Sequence, residues 1–124
     1  MYQETYHRKY KQQDVMSASP LRLVIMTYDL AIRACEQQDF AKATKTISAL
    51  RDTLDLNYPD VSLGLFRLYQ WCLDCIRKGD YASAMTTLTE LRGAWAVTEQ
   101  TIAARQSPVK NSPAYSASLG NILT

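Results

Sequence analysis

Apolar residues recur at three- and four-residue steps along four stretches of the chain, which is the spacing of one face of an α-helix. In the first stretch, this face consists of Leu21, Val24, Ile25, Tyr28, Ile32 and Cys35. Ser19-Pro20 precedes it and supplies a capping serine and a proline at the first helical position, where no amide donor is lost. We predict a first helix from Pro20 to Gln37 or Gln38.

The second stretch has the pattern of a shorter amphipathic helix. Asp39 is placed to cap its N-terminus. The apolar residues that follow form a heptad seam, and they are Phe40, Ala43, Ile47, Leu50 and Leu54. Tyr58-Pro59 is expected to end this helix, because proline disfavours a helical backbone in the residue before it.

The third and fourth stretches have their own start and stop signals. Asp60 is placed to cap a third helix that runs from Val61 to about Lys78. Gly79 follows as a C-terminal stop, and Asp80 is placed to cap a fourth helix. The apolar seam of that helix consists of Tyr81, Ala84, Leu88, Leu91, Trp95 and Ile102.

An internal similarity predicts how these helices are arranged. Residues 39–51 and 80–92 both begin with Asp and an aromatic residue and both end in Leu-Arg. A helical hairpin used twice explains the similarity, and short connections make consecutive helices antiparallel. We therefore predict an all-α protein, an antiparallel up-down-up-down four-helix bundle over residues 1–104. A mobile N-terminal arm (1–18) is expected to precede the helices, and the Ser- and Pro-rich residues 105–124 are expected to be a disordered tail.

Composition and charge exclude several kinds of partner. The 14 basic and 12 acidic residues give a net charge of +2 without a dense basic block, so neither nucleic acid nor an anionic membrane is the expected partner. Long apolar runs are absent, and we expect no membrane insertion. Three cysteines are an odd set, which fits reduced thiols and a cytoplasmic location.

The sequence offers little catalytic chemistry. His7 is the only histidine, so we expect no metal site, no cofactor and no catalytic residues. Cys72-Leu-Asp-Cys75 has the spacing of a redox motif, and a thiol oxidoreductase is therefore one alternative. Such motifs act at a helix N-terminus, whereas this pair lies inside the third predicted helix, where two small core residues are the simpler interpretation.

The first and third predicted helices have more apolar residues than the roughly three in seven that cover a bundle core. Leu23, Met26 and Leu30 form an additional face on the first helix. The third helix has two apolar faces, one of which consists of Phe66, Tyr69, Leu73 and Ile76. This excess predicts either a hydrophobic groove for a partner or, alternatively, a shared core or dimer seam.

Several motifs resemble the flagellar secretion chaperone family, FliS. The most specific is Val15-Met16-Ser17-Ala18-Ser19-Pro20, which is followed by Leu21-x-Leu23 and by Met26-x-Tyr28-Asp29. Tyr6 matches the tyrosine of the family's N-terminal arm, and Leu68-Tyr69 and Leu91-Arg92-x-Ala94-Trp95 match later motifs. The chain departs from the family at Leu30, where glycine is common.

The resemblance implies a cytoplasmic export chaperone. Such a protein binds the disordered C-terminal segment of flagellin, prevents premature polymerisation and aids delivery to the flagellar type III export gate. It also implies that the N-terminal arm, here with Tyr6 and Tyr10, occupies part of the groove when no client is bound. The residues expected to contact the client are Leu23, Met26, Leu30, Phe66, Tyr69, Leu73 and Ile76. An alternative function is a regulatory adaptor that binds an anti-sigma factor or another flagellar regulatory protein.

Overall fold

The computed structural model describes residues 18–105, and it contains four α-helices over this range. Consecutive helices are antiparallel, and each packs against two others, so that α1 and α3 lie diagonally opposite one another, as do α2 and α4. The predicted four-helix bundle is confirmed, while the predicted arm and tail lie almost entirely outside the described residues. The helices are α1 (Pro20–Glu36), α2 (Phe40–Asp52), α3 (Pro59–Arg77) and α4 (Tyr81–Ala104).

Three of the helix starts follow the predicted capping chemistry. The Ser19 hydroxyl accepts a hydrogen bond from the amide of Arg22 at 3.1 Å, and Pro20 is the first helical residue. The carboxylates of Asp39 and Asp80 cap α2 and α4 in the same way. Gly79 has the positive φ of 80° that ends α3 and that side chains with a Cβ rarely adopt.

The connection between α2 and α3 differs from the prediction. The α2 helix ends at Asp52. Shortly after it, the carboxylate of Asp55 accepts a hydrogen bond from the backbone amide of Asn57 at 3.0 Å, and this bond stabilises a turn in place of another helical turn. The α3 helix begins at Pro59, two residues earlier than predicted, without a side-chain cap. The prediction that Asp60 caps this helix was wrong, since Asp60 lies in the first turn. Its negative charge there still interacts favourably with the positive end of the helix dipole.

The core lies between the four helices and contains aromatic groups at its centre. Tyr28 on α1 and Tyr69 on α3 are fully buried, and their hydroxyl groups share a hydrogen bond. The indole N–H of Trp95 on α4 lies 3.3 Å from the Tyr28 hydroxyl. This network links three helices, including the diagonal pair, and satisfies polar groups that would be costly to bury alone. None of the helices within residues 18–105 has both the length and the hydropathy of a membrane-spanning segment.

Candidate partner-binding surface

The α3 helix has two apolar stripes that are offset by one residue. The first is its core face, formed by Ser62, Leu65, Tyr69, Cys72 and Ile76, and it is buried. The second follows the same spacing one position earlier and contains Val61, Leu68 and Trp71, which are 48, 39 and 45% exposed. We call these three residues the α3 outer stripe. One residue corresponds to about 100° around a helix, so the outer stripe lies beside the core face and points out of the bundle.

Contacts of α3 with α2 show which way the outer stripe faces. Arg51 on α2 donates a hydrogen bond to the side-chain oxygen of Gln70 at 3.0 Å, so Gln70 marks the side of α3 that adjoins α2. Leu68 lies about 160° around the helix from Gln70. The outer stripe is therefore on the opposite flank, toward α4.

The neighbouring flank of α4 has small side chains. Arg92 and Glu99 mark the side of α4 that pairs with α1, through Asp29 and Arg22 respectively. On the other side of α4, helical spacing places five residues on the flank nearest α3, and four of them are small: Ser83, Thr87, Ala94 and Thr98, with Glu90 as the exception. Small side chains on one helix beside bulky apolar ones on the other leave room for an additional apolar segment.

The outer stripe continues into the loop that precedes α3. Leu56 is 67% exposed and Tyr58 is 52% exposed. The loop is held in place, since the single O–H of Ser62 is shared between the carbonyl oxygens of Asp55 at 2.5 Å and Tyr58 at 2.8 Å. The exposed apolar area at this end of the bundle therefore belongs to an ordered surface.

Four of the seven residues predicted to contact a client have side chains that solvent reaches. Leu23, Met26 and Leu30 are half-buried on one side of α1, and Phe66 is exposed on α3. These two sites do not form one surface, because α1 and α3 are diagonally opposite in the bundle.

The other predicted residues, Tyr69, Leu73 and Ile76, are buried in the core of this conformation. Leu73 also contributes to a cavity of about 240 Å³ between α2 and α3, which is lined by Phe40, Thr44, Ser48, Arg51, Gln70, Leu73 and Arg77. Val61 and Trp71 were not among the predicted residues. The signal that identifies them is the 3-4-3 spacing of Val61, Gly64, Leu68 and Trp71. Tyr6, Tyr10 and His7 lie outside the described residues.

The three cysteines are buried free thiols. Burial raises the pKa of Cys72 to about 12 and that of Cys35 to about 11, and it also raises the pKa of Cys75. Because the thiolate is the reactive form of cysteine, these thiols are poor nucleophiles at neutral pH. The Cys72–Cys75 pair therefore has the properties of core residues and lacks those of a redox centre.

The fold and the outer stripe together define a helical bundle with an ordered apolar surface suited to protein binding. The family model of the flagellar protein FliS matches residues 1–102, and the chain belongs to that family. The FliS family is one of chaperones in flagellum biogenesis, which agrees with the resemblance noted from the sequence motifs. Comparison with curated proteins gives no match, and comparison with solved structures gives none either.

Proposed function

We propose that this protein is a cytoplasmic export chaperone that binds the disordered C-terminal segment of flagellin. Binding prevents the segment from polymerising and helps to deliver flagellin to the type III export gate. The observation that carries the proposal is the row of exposed apolar side chains that forms the α3 outer stripe. Membership of the FliS family supports flagellin as the partner.

The spacing of the outer stripe suits an amphipathic client helix. Val61, Leu68 and Trp71 span about 15 Å along α3 at a rise of about 1.5 Å per residue, or nearly three helical turns. A client helix with apolar residues at three- and four-residue steps buries its own apolar face against such a row. An unstructured segment folds as it binds, and the apolar area buried compensates for its lost conformational entropy.

A long client also explains the second predicted site. Leu23, Met26 and Leu30 lie on α1, diagonally opposite the helix that carries the outer stripe. A compact partner cannot reach both surfaces without a large interface, whereas an extended chain reaches both by passing around the bundle. We therefore propose that one part of the flagellin segment contacts α3 and another contacts α1.

Calorimetric titration of the full chain with the cognate flagellin C-terminal segment tests this function. We expect one client per chaperone and a shift of the complex to larger size in gel filtration. Deleting Met1–Asp14, which carries Tyr6 and Tyr10, is expected to tighten the complex or leave it unchanged, because the arm competes for client surface. The absence of both binding heat and a gel-filtration shift would rule out the proposed function.

A further inference from the structure

The cavity between α2 and α3 differs from the outer stripe in its chemistry. Two arginines, Arg51 on α2 and Arg77 on α3, line it, and none of its lining residues within 18–105 is acidic. Arg51 donates a hydrogen bond to Gln70 at 3.0 Å, and Arg77 lies seven residues, or about 10 Å, further along α3. The cavity therefore has a guanidinium group toward each end.

Both arginines remain able to bind a further carboxylate. Arg51 pairs with Asp52 at 2.8 Å, and Arg77 pairs with Asp74. The two aspartate side chains are 62 and 48% exposed, so water screens these pairs and each contributes little to stability. A guanidinium group has five N–H donors, and Arg51 uses two of them within residues 18–105. A carboxylate from a partner can therefore join or replace the aspartate.

Between the arginines, the cavity offers apolar side chains and two hydroxyl groups. Leu73 is buried, and Phe40 is half exposed. Thr44 and Ser48 on α2 also line the cavity. In the described part of the chain, their hydroxyl groups form no hydrogen bond, whereas the nearby Thr46 hydroxyl donates to a carbonyl of its own helix at 2.8 Å. The hydroxyl groups of the cavity are therefore available to the polar groups of a bound peptide.

Exposed apolar side chains continue this surface along α3. Leu63 and Phe66, which are 45 and 38% exposed, lie seven and four residues before Gln70. Both are within about 40° of Gln70 around the helix, so they share the side of α3 that adjoins α2. We call the cavity together with Leu63 and Phe66 the α2–α3 groove. Because Gln70 and Leu68 are about 160° apart, the groove and the outer stripe are on opposite flanks of α3 and can be occupied at the same time.

We propose that the α2–α3 groove is a second docking site, which takes an acidic amphipathic helix of a partner protein other than the client. The complementary helix has a large apolar side chain that enters the cavity of about 240 Å³, and two carboxylates that reach Arg51 and Arg77. A separation of about 10 Å corresponds to seven positions in a helix, and the apolar side chain lies on the same face between them. A cavity of this size suits single side chains of a peptide better than a complete small molecule.

Two helical test peptides, titrated into the full chain and followed by NMR, examine this site. Both are based on alanine and glutamine, are about 15 residues long and carry Phe at position i+4, and one has Glu at i and i+7 where the other has Gln. The acidic peptide is expected to shift the side-chain amide of Gln70 and the backbone amides of Thr44 and Ser48, and to leave the Trp71 indole in place. It should bind at least about threefold more tightly than the neutral peptide, because two exposed carboxylate–arginine pairs add to its affinity. Equal affinities, or shifts confined to Trp71, would overturn the proposal.

Two double variants separate the groove from the general charge of the protein. Arg51→Gln with Arg77→Gln should remove the preference for the acidic peptide. Arg33→Gln with Lys42→Gln removes the same net charge from exposed positions outside the cavity and should retain the preference. Loss of the preference in both double variants would overturn a specific role for the groove.

The flagellin C-terminal segment tests whether the groove serves a second partner. With flagellin bound, we expect the acidic peptide to keep its affinity within about twofold, because the groove and the outer stripe are on opposite flanks of α3. Displacement of the peptide by flagellin would assign the groove to the client and overturn the second docking site. A chain that binds no flagellin would refute the proposed function, and the peptide titrations would still decide whether the groove binds an acidic helix.

Discussion

Two regions of this bundle have opposite surface chemistry. Between α1 and α4, the surface is closed by two ion pairs, Arg22 with Glu99 at 2.5 Å and Arg92 with Asp29 at 2.8 Å. On the outer flank of α3, apolar side chains are left in contact with water over the length of the stripe.

The difference indicates which surface is complete in the free protein. Pairs of opposite charge satisfy each other, so that region needs no further partner. Covering the exposed Val, Leu and Trp side chains of the row lowers the free energy by about 25 cal/mol for each Å² of apolar surface removed from water. The α3 flank is therefore where a further chain is expected to bind, and the predictions below test this contrast.

The largest effect on stability is expected from a substitution in the core face of α3. Tyr69→Ala should lower the free energy of unfolding by about 3–5 kcal/mol, because it removes a fully buried ring and leaves the Tyr28 hydroxyl without this partner. Urea unfolding of the full chain measures this loss. Tyr69→Phe is the control and should cost about 1–2 kcal/mol, since it removes only the hydroxyl. Equal losses for the two variants would show that ring packing contributes little here.

Trp71 in the outer stripe, two residues after Tyr69, should affect client binding strongly and stability weakly. Trp71→Ala is expected to weaken flagellin binding by about 2 kcal/mol, or roughly 30-fold, because a large aromatic side chain that becomes buried in an interface contributes strongly to affinity. The free energy of unfolding should change by no more than about 0.5 kcal/mol, since the residue is nearly half exposed.

A matched valine pair sharpens this test. Val61 lies in the outer stripe, and Val97 on α4, three residues after Ala94, is exposed on the flank of α4 nearest α3. Val61→Ala should weaken flagellin binding by about 1 kcal/mol, and Val97→Ala should weaken it by no more than about that amount. If both variants bind flagellin like the wild type, the client does not use the α3 flank.

The ion pairs should have a smaller, pH-dependent effect. Glu99→Gln is expected to destabilise the protein by about 0.5–1 kcal/mol at neutral pH and low salt, because Arg22 is well exposed and solvent screens the pair. The hydrogen bond from Arg22 lowers the pKa of Glu99, so the contribution is present above the unfolded value of about 4.3 and disappears as the pH falls through the lower folded value.

Thermal unfolding of wild type and Glu99→Gln at pH 7 and pH 3 measures this difference. The two proteins should approach one another in stability at the lower pH. A difference that persists unchanged at pH 3 would mean that Glu99 acts through packing and that its charge is unimportant.

The smallest effect is expected at the buried thiols. Replacing Cys72 and Cys75 together by alanine should leave flagellin affinity within about twofold of the wild type, or about 0.4 kcal/mol. Both side chains are core groups whose pKa burial raises, so they are not placed for redox chemistry. Loss of binding in a variant that remains folded by circular dichroism would contradict this interpretation.

Sequence patterns predicted the helices better than the surface. Ser19-Pro20, Asp39, Gly79 and Asp80 act locally, through capping bonds and a permitted φ, so their roles followed from residue type and spacing. The end of α2 was not predicted, because it depends on a turn in which the Asp55 carboxylate competes with the helix.

The two stripes of α3 explain why the site was harder to predict. Both have the same helical period and differ by one residue, so periodicity alone does not show which one faces the core. Burial of Tyr69 and exposure of Trp71 are decided by the positions of the three other helices. Client contact stays a prediction for all seven residues named from the sequence: Leu23, Met26, Leu30, Phe66, Tyr69, Leu73 and Ile76.

Amide and indole NMR spectra of the full chain, recorded with and without the flagellin C-terminal segment, test the central claim most directly. We predict the largest changes between Val61 and Trp71 on α3 and small ones at Arg92 and Glu99 on α4. Changes concentrated at the α1–α4 ion pairs, with the α3 outer stripe unaffected, would contradict the claim that exposed apolar surface on α3 binds the client.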